Sequence, residues 1–382
     1  MCDTSHLRAW VEVDYAAIRS NALAIRGLAE GRHIMAVLKA NACQQAAVRV
    51  ADAISDVCNS YAMATLDEAI ELRRAGVADP ILVLGYVPPP RYIEVVQNNI
   101  DVTVYSVDVA GHLSGFAVEK NATIGIHIKV DTGMGRLGFG CGQEDIGQIV
   151  RACTMPNLRL EGVFSHLATA DDLDTDFAYR QQNDFCCVID QLATRGITFP
   201  LRHLHNSAGT VALEIDERLN AVRPGLALFG LHPSGIPLPA QFTPAMAFRC
   251  RVVSVKTIHA CATVGYNRTF TAIRPTIVAT LSAGYADGVP IGLSGKGSVI
   301  INGQLASVIG RVCMDMFMVD VTDISPIVPG DVATIFGRDG QLVLHPGQVA
   351  AVAGTICHDL LTGISSRAER ININCDSTCL KL

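Results

Sequence analysis

Short apolar runs alternate with amphipathic stretches along the chain up to about residue 230. The runs are rich in branched side chains, which is typical of buried strands in parallel sheets. The stretches between them repeat apolar residues at helical spacing, as in the set Phe185, Val188, Ile189 and Leu192. The alternation therefore predicts repeated β-α units with eight strands, centred on residues 34–38, 61–65, 81–85, 100–106, 124–130, 160–166, 201–206 and 219–225.

Eight strands with helices between them are typical of a closed parallel barrel. From about residue 245 the pattern changes to strand-like segments separated by Gly and Asp turns, such as residues 248–258 and 276–282. We therefore predict an α/β protein with an N-terminal (β/α)8 TIM-barrel domain, residues 1–240, and a mostly β C-terminal domain, residues 241–382. Residues 1–13 contain the strand-like run RAWVEV, which can pair with the second domain or with the first.

Composition and charge limit the classes of partner. The chain has 382 residues, of which 36 are acidic and 30 basic, for a formal net charge of −6. This charge gives no basic surface for nucleic acid, so we expect a small-molecule partner. The longest uncharged stretch, residues 224–248, is interrupted by four prolines, Pro233, Pro237, Pro239 and Pro244. A membrane-spanning helix does not tolerate prolines at this density, so we expect no membrane segment and interpret the stretch as a linker.

The cysteines indicate the compartment. All 13 lie outside CxxC pairs and are scattered through mainly apolar segments. This pattern suits reduced thiols better than a disulfide framework or a zinc site, so no metal is expected. The first residues, MCDTSHLRAW, have an acidic Asp3 and no apolar run, which does not fit a secretory signal. We expect a cytoplasmic protein.

Reactive side chains follow several of the predicted strands. Lys39 comes directly after the first run, where its amine meets solvent and can act as a Schiff-base nucleophile. In a barrel, the loops at the carboxyl ends of the strands form the active-site face. Each candidate alone has an ordinary structural explanation, but together they mark that face. The candidates after the later strands are Lys129, Arg136, His166, Asn206, Ser207, Arg223 and Gly225.

The loop after the fifth strand offers a rival interpretation. Its sequence GMGRLG, residues 133–138, is a formal GxGxxG, so a nicotinamide oxidoreductase is the natural alternative. In that fingerprint a pyrophosphate binds at the N-terminus of a helix that directly follows the glycines. Here the next clear helical pattern begins only near Gln143. Arg136 within the loop instead favours a guanidinium that holds a carboxylate or a phenolate.

Eight segments form an ordered set that runs nearly from end to end of the chain. They are AVLKANA (36–42), KVDTGMGRLG (129–138), SHLATADD (165–172), HNSAGT (205–210), RPGLALFGL (223–231), VGYNRTF (264–270), SAGYADG (282–288) and GRVCMDMFMVD (310–320). This set resembles the motifs of the pyridoxal-phosphate-dependent alanine racemases. One GxGxxG arises easily by chance, but eight motifs in the family's order do not.

The resemblance implies a two-base racemase. Lys39 would carry pyridoxal 5'-phosphate as an aldimine that an amino-acid substrate displaces, and its freed amine would then be a base on one face of the substrate. Tyr266 would serve the opposite face. Two bases on opposite sides of a planar carbon invert the centre directly, whereas a single base tends to return the proton to its original side. The implied reaction interconverts L-alanine and D-alanine.

The resemblance also implies roles for the other strand-end residues. Arg223 would face the pyridine nitrogen and bond to His166, and a guanidinium holds its protons too tightly to protonate that nitrogen. Arg136 would face the phenolic oxygen and the substrate carboxylate, oriented by Lys129, which is often carbamylated in the family. Further cofactor contacts are expected from Asn206, Ser207, Gly225 and Leu226.

Several implied site residues fall in the second predicted domain. Beside Tyr266, substrate contacts are expected from Tyr285, Met314 and Asp315. In the family these residues reach the active site of the other subunit. The resemblance therefore implies a homodimer with shared active sites.

The chain departs from the family at two phosphate-side tyrosines, where it has Cys43 and His358. Each lost neutral hydrogen bond is worth about 0.5–1.5 kcal/mol, so cofactor retention falls by roughly one to two orders of magnitude unless His358 compensates. Position 358 also borders the substrate side chain in the family. A serine or broad-specificity amino-acid racemase therefore stays open as an alternative, as does a pyridoxal-phosphate-binding protein without catalysis.

Overall fold

The computed structural model describes residues 3–232, 238–324 and 326–374. The chain divides into two compact units, one of Arg19–Leu228 and one of Met1–Ile18 with Phe229–Leu382. Our predicted boundary at residue 240 therefore differs from the division that follows Leu228. The N-terminal strand β1 (Ala9–Asp14) pairs with strands of the C-terminal sheet.

Eight parallel strands close into a barrel in the unit Arg19–Leu228. Every one of the eight apolar runs singled out in the sequence contributes a strand, which confirms the predicted barrel. Barrel closure comes from the parallel pairing of the last strand with the first, His33 opposite Ala221 and Ile34 opposite Val222. The strands are β2 (His33–Val37), β3 (Ser60–Met63), β4 (Ile81–Val83), β5 (Asp101–Val104), β6 (Ile124–Lys129), β7 (Leu158–Phe164), β8 (Leu201–His203) and β9 (Ala221–Val222).

Helices connect the barrel strands and pack an apolar stripe toward them. The predicted stripe of Phe185, Val188 and Leu192 is buried in α8. The first helix is capped by Asp14, whose Oδ1 accepts the N–H of Ala17 at 2.9 Å. The helical segments are α1 (Tyr15–Leu28), α2 (Lys39–Gln44), α3 (Ala47–Ala53), α4 (Leu66–Arg74), α5 (Tyr92–Gln97), α6 (Val107–Glu119), α7 (Gln143–Cys153), α8 (Asp176–Ala193) and α9 (Ser207–Ala212), with 3-10 turns at Pro89–Arg91 and Leu226–Phe229.

The C-terminal unit is built mainly of strands, as the sequence predicts. Nine strands form one sheet in the order β18-β17-β14-β15-β16-β13-β10-β1-β19, and β17 also pairs with β10. A separate hairpin joins β11 to β12. The further strands are β10 (Met246–Ile258), β11 (Thr263–Val264), β12 (Phe270–Thr271), β13 (Thr276–Leu281), β14 (Ser298–Ile301), β15 (Gln304–Ile309), β16 (Phe317–Asp320), β17 (Val332–Asp339), β18 (Leu342–Leu344) and β19 (Glu369–Ile373). The helices of this unit are α10 (Pro346–Ala353) and α11 (Cys357–Thr362), with 3-10 turns at Tyr266–Arg268 and Ile291–Leu293.

The stretch 224–248 is not a simple linker, and that interpretation was wrong. Its first part forms the 3-10 turn Leu226–Phe229 after the last barrel strand, and its last part opens β10. Pro233 and Pro237 lie outside the described residues. In the part of the chain that the structure describes, no helix combines the length and the apolar character needed to cross a membrane.

Candidate active site

Lys39 lies just beyond the carboxyl end of β2, and it is exposed. In the turn that it opens, the residues from Ala40 to Cys43 all have left-handed backbone angles, with φ between 52° and 55°. Left-handed helical geometry costs an L-residue roughly 1–2 kcal/mol. Strained backbone of this kind persists only where the surroundings hold it, and it is concentrated at functional sites. The turn that positions Lys39 therefore depends on contacts from outside it.

Glu68 supplies one of these contacts. Its Oε1 accepts the N–H of Ala40 at 2.6 Å, and its Oε2 accepts those of Ala64 and Thr65 at 2.9 and 3.1 Å. Glu68 is also the third residue of α4 and completes a capping box with Thr65. One carboxylate thus joins the loop after β3 to the loop after β2.

The glycine loop after β6 is closed upon itself. Val130 forms a β-bridge with Phe139, and Asp131 Oδ1 accepts three backbone N–H groups of the loop at 2.8 to 3.1 Å. Helix α7 begins only at Gln143, as the sequence indicates. No helix N-terminus follows the glycines directly, so the loop lacks the geometry of a dinucleotide fingerprint.

Lys129, the last residue of β6, is buried in the barrel. Its Nζ donates to the carbonyl of Val130 at 2.9 Å and lies 5.2 Å from the centre of the Phe164 ring. Burial, reinforced by the positive charges of Arg223 and Arg136, lowers the pKa of Lys129 to about 7. A substantial fraction of this amine is therefore neutral at neutral pH.

Arg223, which follows β9, is buried and has only neutral partners. Its Nη1 donates to His203 Nδ1 at 2.8 Å, and its Nη2 lies 2.7 Å from the Ser165 carbonyl, 3.1 Å from that of Leu204 and 3.2 Å from His166 Nδ1. Burial lowers the pKa of Arg223 to about 9, so it keeps its charge at neutral pH. Among the described residues, its Nε–H and one Nη1–H have no hydrogen-bond partner.

His166 lies within the electrostatic reach of four cations. Burial lowers its pKa well below the usual range, and the charges of Arg223, Lys129, Arg136 and Lys39 lower it further, in that order. The imidazole is therefore neutral, and its Nδ1 accepts from Arg223. The barrel thus brings together the predicted residues at the carboxyl ends of the first, fifth, sixth and eighth strands, and they form a strongly positive site.

A hydroxyl-centred turn completes this face of the barrel. Ser207 Oγ accepts the backbone N–H groups of Gly225 and Ala227 at 2.9 and 3.1 Å, which folds the turn containing Leu226 around it. Asn206 caps the short helix α9 by accepting one of its backbone N–H groups at 2.9 Å. Two accepted bonds leave the Ser207 hydroxyl hydrogen able to donate to an anion.

Three predicted site residues lie on neighbouring loops of the C-terminal unit. Tyr266, Tyr285 and Met314 are 70%, 42% and 52% exposed. The backbone N–H of Ala286, next to Tyr285, donates to the Met314 carbonyl at 3.0 Å. A β-carbon on Gly310 would lie 2.9 Å from the Val264 carbonyl oxygen, so the loop before Tyr266 packs closely against the one before Met314. These exposed side chains form a surface suited to contact with another molecule.

The other two predicted residues of this unit have different surroundings. Asp315 forms an ion pair with Arg367 at 2.6 Å, and Arg367 also lies 3.2 Å from Asp287. His358 is half-buried in the first turn of α11, and its carbonyl accepts the hydroxyl of Thr362 at 2.8 Å. The substrate and cofactor roles given to Asp315 and His358 stay predictions.

Sequence reasoning missed Glu68 and His203 as contributors to the site. Thr65 and Glu68 show the spacing of a capping box, but this spacing predicts only the start of a helix, not a bond to Ala40. His203 stands in an otherwise ordinary strand, and only its inward direction in the closed barrel brings it to Arg223.

The fold and the clustered side chains define a β/α-barrel enzyme with an anion-binding site at the strand ends. Comparison with known proteins gives its family. Residues 13–233 match the family model of the alanine racemase N-terminal domain, and residues 245–372 match that of the C-terminal domain. The chain belongs to the alanine racemase family.

Individual relatives resemble the chain over almost its whole length. An alanine racemase of Desulforamulus reducens is 39% identical over 368 residues, which cover 95% of this chain and 98% of the relative. The alanine racemase of Bacillus anthracis with bound L-Ala-P has a TM-score of 0.88 at 34% identity, over 96% of this chain and 95% of that one. The alanine racemase of Bartonella henselae with covalently bound pyridoxal phosphate has a TM-score of 0.87 at 28% identity, over 96% and 99%.

Proposed function

We propose that the protein interconverts L-alanine and D-alanine with pyridoxal 5'-phosphate, using Lys39 and Tyr266 of the partner subunit as the two bases. The observation that carries this proposal is the buried guanidinium of Arg223, which has only neutral partners, in a cluster of basic side chains that also includes Lys129, Arg136 and Lys39. Such a site needs anions, and a phosphorylated cofactor together with a substrate carboxylate supplies them.

The chemistry of the described residues fits this cofactor. The exposed amine of Lys39 is open to a carbonyl carbon, and the unused N–H groups of Arg223 suit a ring nitrogen that accepts. The hydroxyl of Ser207 and the backbone N–H of Leu226 provide donors for a phosphate, and Gly225, which lacks a side chain, allows its close approach. Asn206 caps the short helix α9, which begins at Ser207.

Two positions fit the cofactor less well. Burial raises the pKa of the Cys43 thiol to about 11 although the charge of Lys39 opposes this shift, so the thiol stays protonated and donates only weakly. His358 stands where the family has a second tyrosine. We therefore expect weaker cofactor retention than in relatives that have both phenols.

The cofactor supplies an electron sink for the α-carbon of the amino acid. The side chains of the protein transfer the protons. Lys39 Nζ exchanges the α-proton on one face of the substrate, and the phenolic oxygen of Tyr266 exchanges it on the other. Arg136 would hold the substrate carboxylate, and Tyr285, Met314 and Asp315 would contribute to the site of the partner subunit. The neutral fraction of Lys129 is the form that reacts with carbon dioxide, which supports carbamylation at this position.

The exposure of Tyr266 in the C-terminal unit supports a homodimer with shared sites. Lys39 belongs to the barrel unit and Tyr266 to the C-terminal unit, where it is 70% exposed beside Tyr285 and Met314. Contact with a second subunit would cover this surface. The cysteines, scattered through mainly apolar segments without CxxC pairs, support a reducing, cytoplasmic location.

Proton exchange and chirality test the proposed function together. We expect L-alanine incubated with the protein in deuterated water to yield D-alanine with deuterium at the α-carbon, as measured by chiral chromatography with mass spectrometry. Borohydride should abolish the cofactor absorbance and fix the cofactor to Lys39. The variant Lys39→Ala should lose both properties, whereas Lys120→Ala, which alters a surface lysine paired with Glu119, should keep them. Cofactor attachment without any exchange would instead support a binding protein.

A further inference from the structure

Four polar side chains form a continuous line through the barrel. Arg223 Nη1 lies 2.8 Å from His203 Nδ1, and His203 Nε2 lies 2.9 Å from His127 Nδ1. His127 Nε2 in turn lies 3.9 Å from Asp101 Oδ2. Arg223 follows the last residue of β9, and Asp101 is the first residue of β5, so the line runs from the carboxyl ends of the strands to their amino ends.

The far end of the line opens into a cavity of about 220 Å³. Asp101 and His127 line it together with Ser60, Arg159 and Glu161. The line thus links the candidate active site to a cavity at the opposite end of the barrel.

The two ends of the line impose the same tautomer on both imidazoles. A guanidinium only donates, so His203 Nδ1 must accept and the proton of this ring lies on Nε2. That N–H donates to His127 Nδ1, which leaves the proton of His127 on Nε2. The Asp101 carboxylate, 3.9 Å from Nε2, favours a proton on that nitrogen electrostatically, which is the tautomer that Arg223 requires.

Two glycines leave the space that the side chains of this line occupy. A β-carbon on Gly125 would overlap the carboxylate of Asp101, and one on Gly162 would overlap Nδ1 of His127. The pairing of β6 with β7 also shifts register between Ile126 and His127, and such irregularities re-aim side chains. Glycine weakens a strand interior, so these features indicate an arrangement kept for its side chains.

Burial keeps the imidazoles neutral. It lowers the pKa of His127 to about 3 and that of His203 well below the usual range, and the charge of Arg223 adds to both shifts. His33, which bonds to Ser60 at the amino end of the barrel, acts in the same direction.

Three charged groups face Asp101. Burial raises its pKa to about 6, and Glu161 adds to this shift, whereas Arg159 and Arg73 oppose it. Most of the Asp101 carboxylate is therefore ionised at pH 7, which is the form that favours a proton on His127 Nε2.

We propose that His203, His127 and Asp101 are positioning residues that fix Arg223 as a hydrogen-bond donor toward the cofactor ring. The identity of the group that Arg223 faces rests on the proposed function, but the line itself does not. Without an acceptor at position 127, His203 can carry its proton on Nδ1 instead of Nε2. That N–H would then point at the N–H of Arg223, and the hydrogen bond between them would be lost. Arg223 then loses a partner and its fixed direction.

Histidine NMR of the protein freed of cofactor tests the line directly. In a 15N-histidine sample at pH 7, we expect both rings to be neutral, with the proton on Nε2 and a lone pair on Nδ1. Assignments come from the variants His127→Asn and His203→Gln. A proton on Nδ1 of either ring, or a doubly protonated ring, overturns the proposal.

Cofactor titration of matched variants tests the consequence for Arg223. Asn at position 127 keeps an acceptor near Nδ1, so His127→Asn should bind pyridoxal 5'-phosphate within about threefold of the wild type. His127→Leu should raise the Kd roughly ten- to a hundredfold, since it removes support from a charged donor. The control His33→Gln lies outside the line and should leave the Kd unchanged.

Equal affinities in the folded Leu and Asn variants overturn the proposal. If His127→Leu does not fold, the Asn variant and the wild-type NMR spectrum still decide. A protein that binds the cofactor with the expected variant ranking but does not racemise alanine contradicts the proposed function and leaves the positioning role intact.

Discussion

The interior of the barrel and the core of the C-terminal unit use buried side chains in opposite ways. The core of the C-terminal unit is mainly apolar, and its largest fully buried side chains are Trp10, Phe229, Phe248, Phe317 and Phe336. The barrel buries a polar set, His127, Lys129, His203 and Arg223. In the C-terminal unit, the buried carboxylate of Asp287 forms ion pairs with Arg8 and Arg367. In the barrel, the buried guanidinium has only neutral acceptors.

If the proposed function is correct, this difference separates groups kept for stability from groups kept for chemistry. A buried cation without a counter-ion costs folding free energy, and a bound anion repays that cost. The barrel is therefore expected to gain stability from an anionic ligand, whereas the C-terminal unit carries its own counter-charges. Mutations on the two sides should fall into two classes, with activity lost in the first and stability lost in the second.

The largest effect is expected at Arg223. Arg223→Met should lower the racemisation rate by at least about a hundredfold, because the cofactor site loses its buried donor. The free energy of unfolding of the cofactor-free protein should change by less than about 1 kcal/mol, since removing an unpaired buried charge offsets the lost hydrogen bonds. Chiral assays and urea unfolding measure the two quantities, with Arg19→Met on the surface as the control. A loss of several kcal/mol with activity retained would place Arg223 in the structural class.

Asp287 represents the opposite class. Asp287→Asn should lower the free energy of unfolding by about 2–3 kcal/mol, less than for a fully buried pair because Arg8 and Arg367 are partly exposed and screened. Thermal and urea unfolding measure the change. The exposed pair of Asp323 with Arg274 offers a matched control, and Asp323→Asn should change stability by no more than about 0.5 kcal/mol. Equal effects of the two substitutions would contradict the distinction.

Acid should act on the barrel through its neutral histidines. The unfolded chain protonates His127 below about pH 6.5, whereas the folded protein does so only near pH 3, so the unfolded state binds more protons between these values. The stability of the cofactor-free protein should therefore be highest above pH 6.5 and fall as the pH decreases toward 3. Thermal midpoints measured across this range should fall less steeply for His127→Asn. An unchanged slope in that variant would assign the acid sensitivity to other groups.

Glu68 should have an intermediate effect on activity. Glu68→Gln replaces the anion that holds Ala40 and the loop after β3, so the turn of Lys39 loses a charge-assisted hydrogen bond. We expect roughly a tenfold lower kcat with little change in KM for alanine. Glu71→Gln, on the exposed side of the same helix, is the matched control. If both variants keep wild-type kcat, the carboxylate does not position Lys39.

The smallest effect is expected at His358. His358→Tyr restores the phenol that is typical of the family, so cofactor affinity should rise by a few-fold, about the worth of one neutral hydrogen bond. The ratio of kcat/KM for alanine to that for serine should shift in the same variant. Steady-state kinetics with both substrates measure this ratio. An unchanged ratio removes the basis for a shifted substrate preference.

The sequence predicts the secondary structure of the barrel better than the contacts between side chains inside it. The eight strands follow from branched apolar runs, and Lys39 and Arg223 follow from their places after such runs. The line from His203 to Asp101 does not, because it joins residues far apart in sequence that meet only when the barrel closes.

Local patterns also fail where the backbone departs from its usual preferences. The left-handed turn from Ala40 to Cys43 contains no glycine, so nothing in its composition indicates positive φ. The boundary at residue 240 stays a prediction, and the division into compact units follows Leu228.

Subunit complementation tests the central claim most directly, that each site takes Lys39 from one protomer and Tyr266 from its partner. Lys39→Ala and Tyr266→Phe should each be inactive when purified alone. Mixed, dissociated and reassembled, they should recover about one quarter of wild-type racemase activity, because half of the dimers are mixed and each of these has one intact site. Recovery of no activity in samples shown to contain mixed dimers would contradict the shared site.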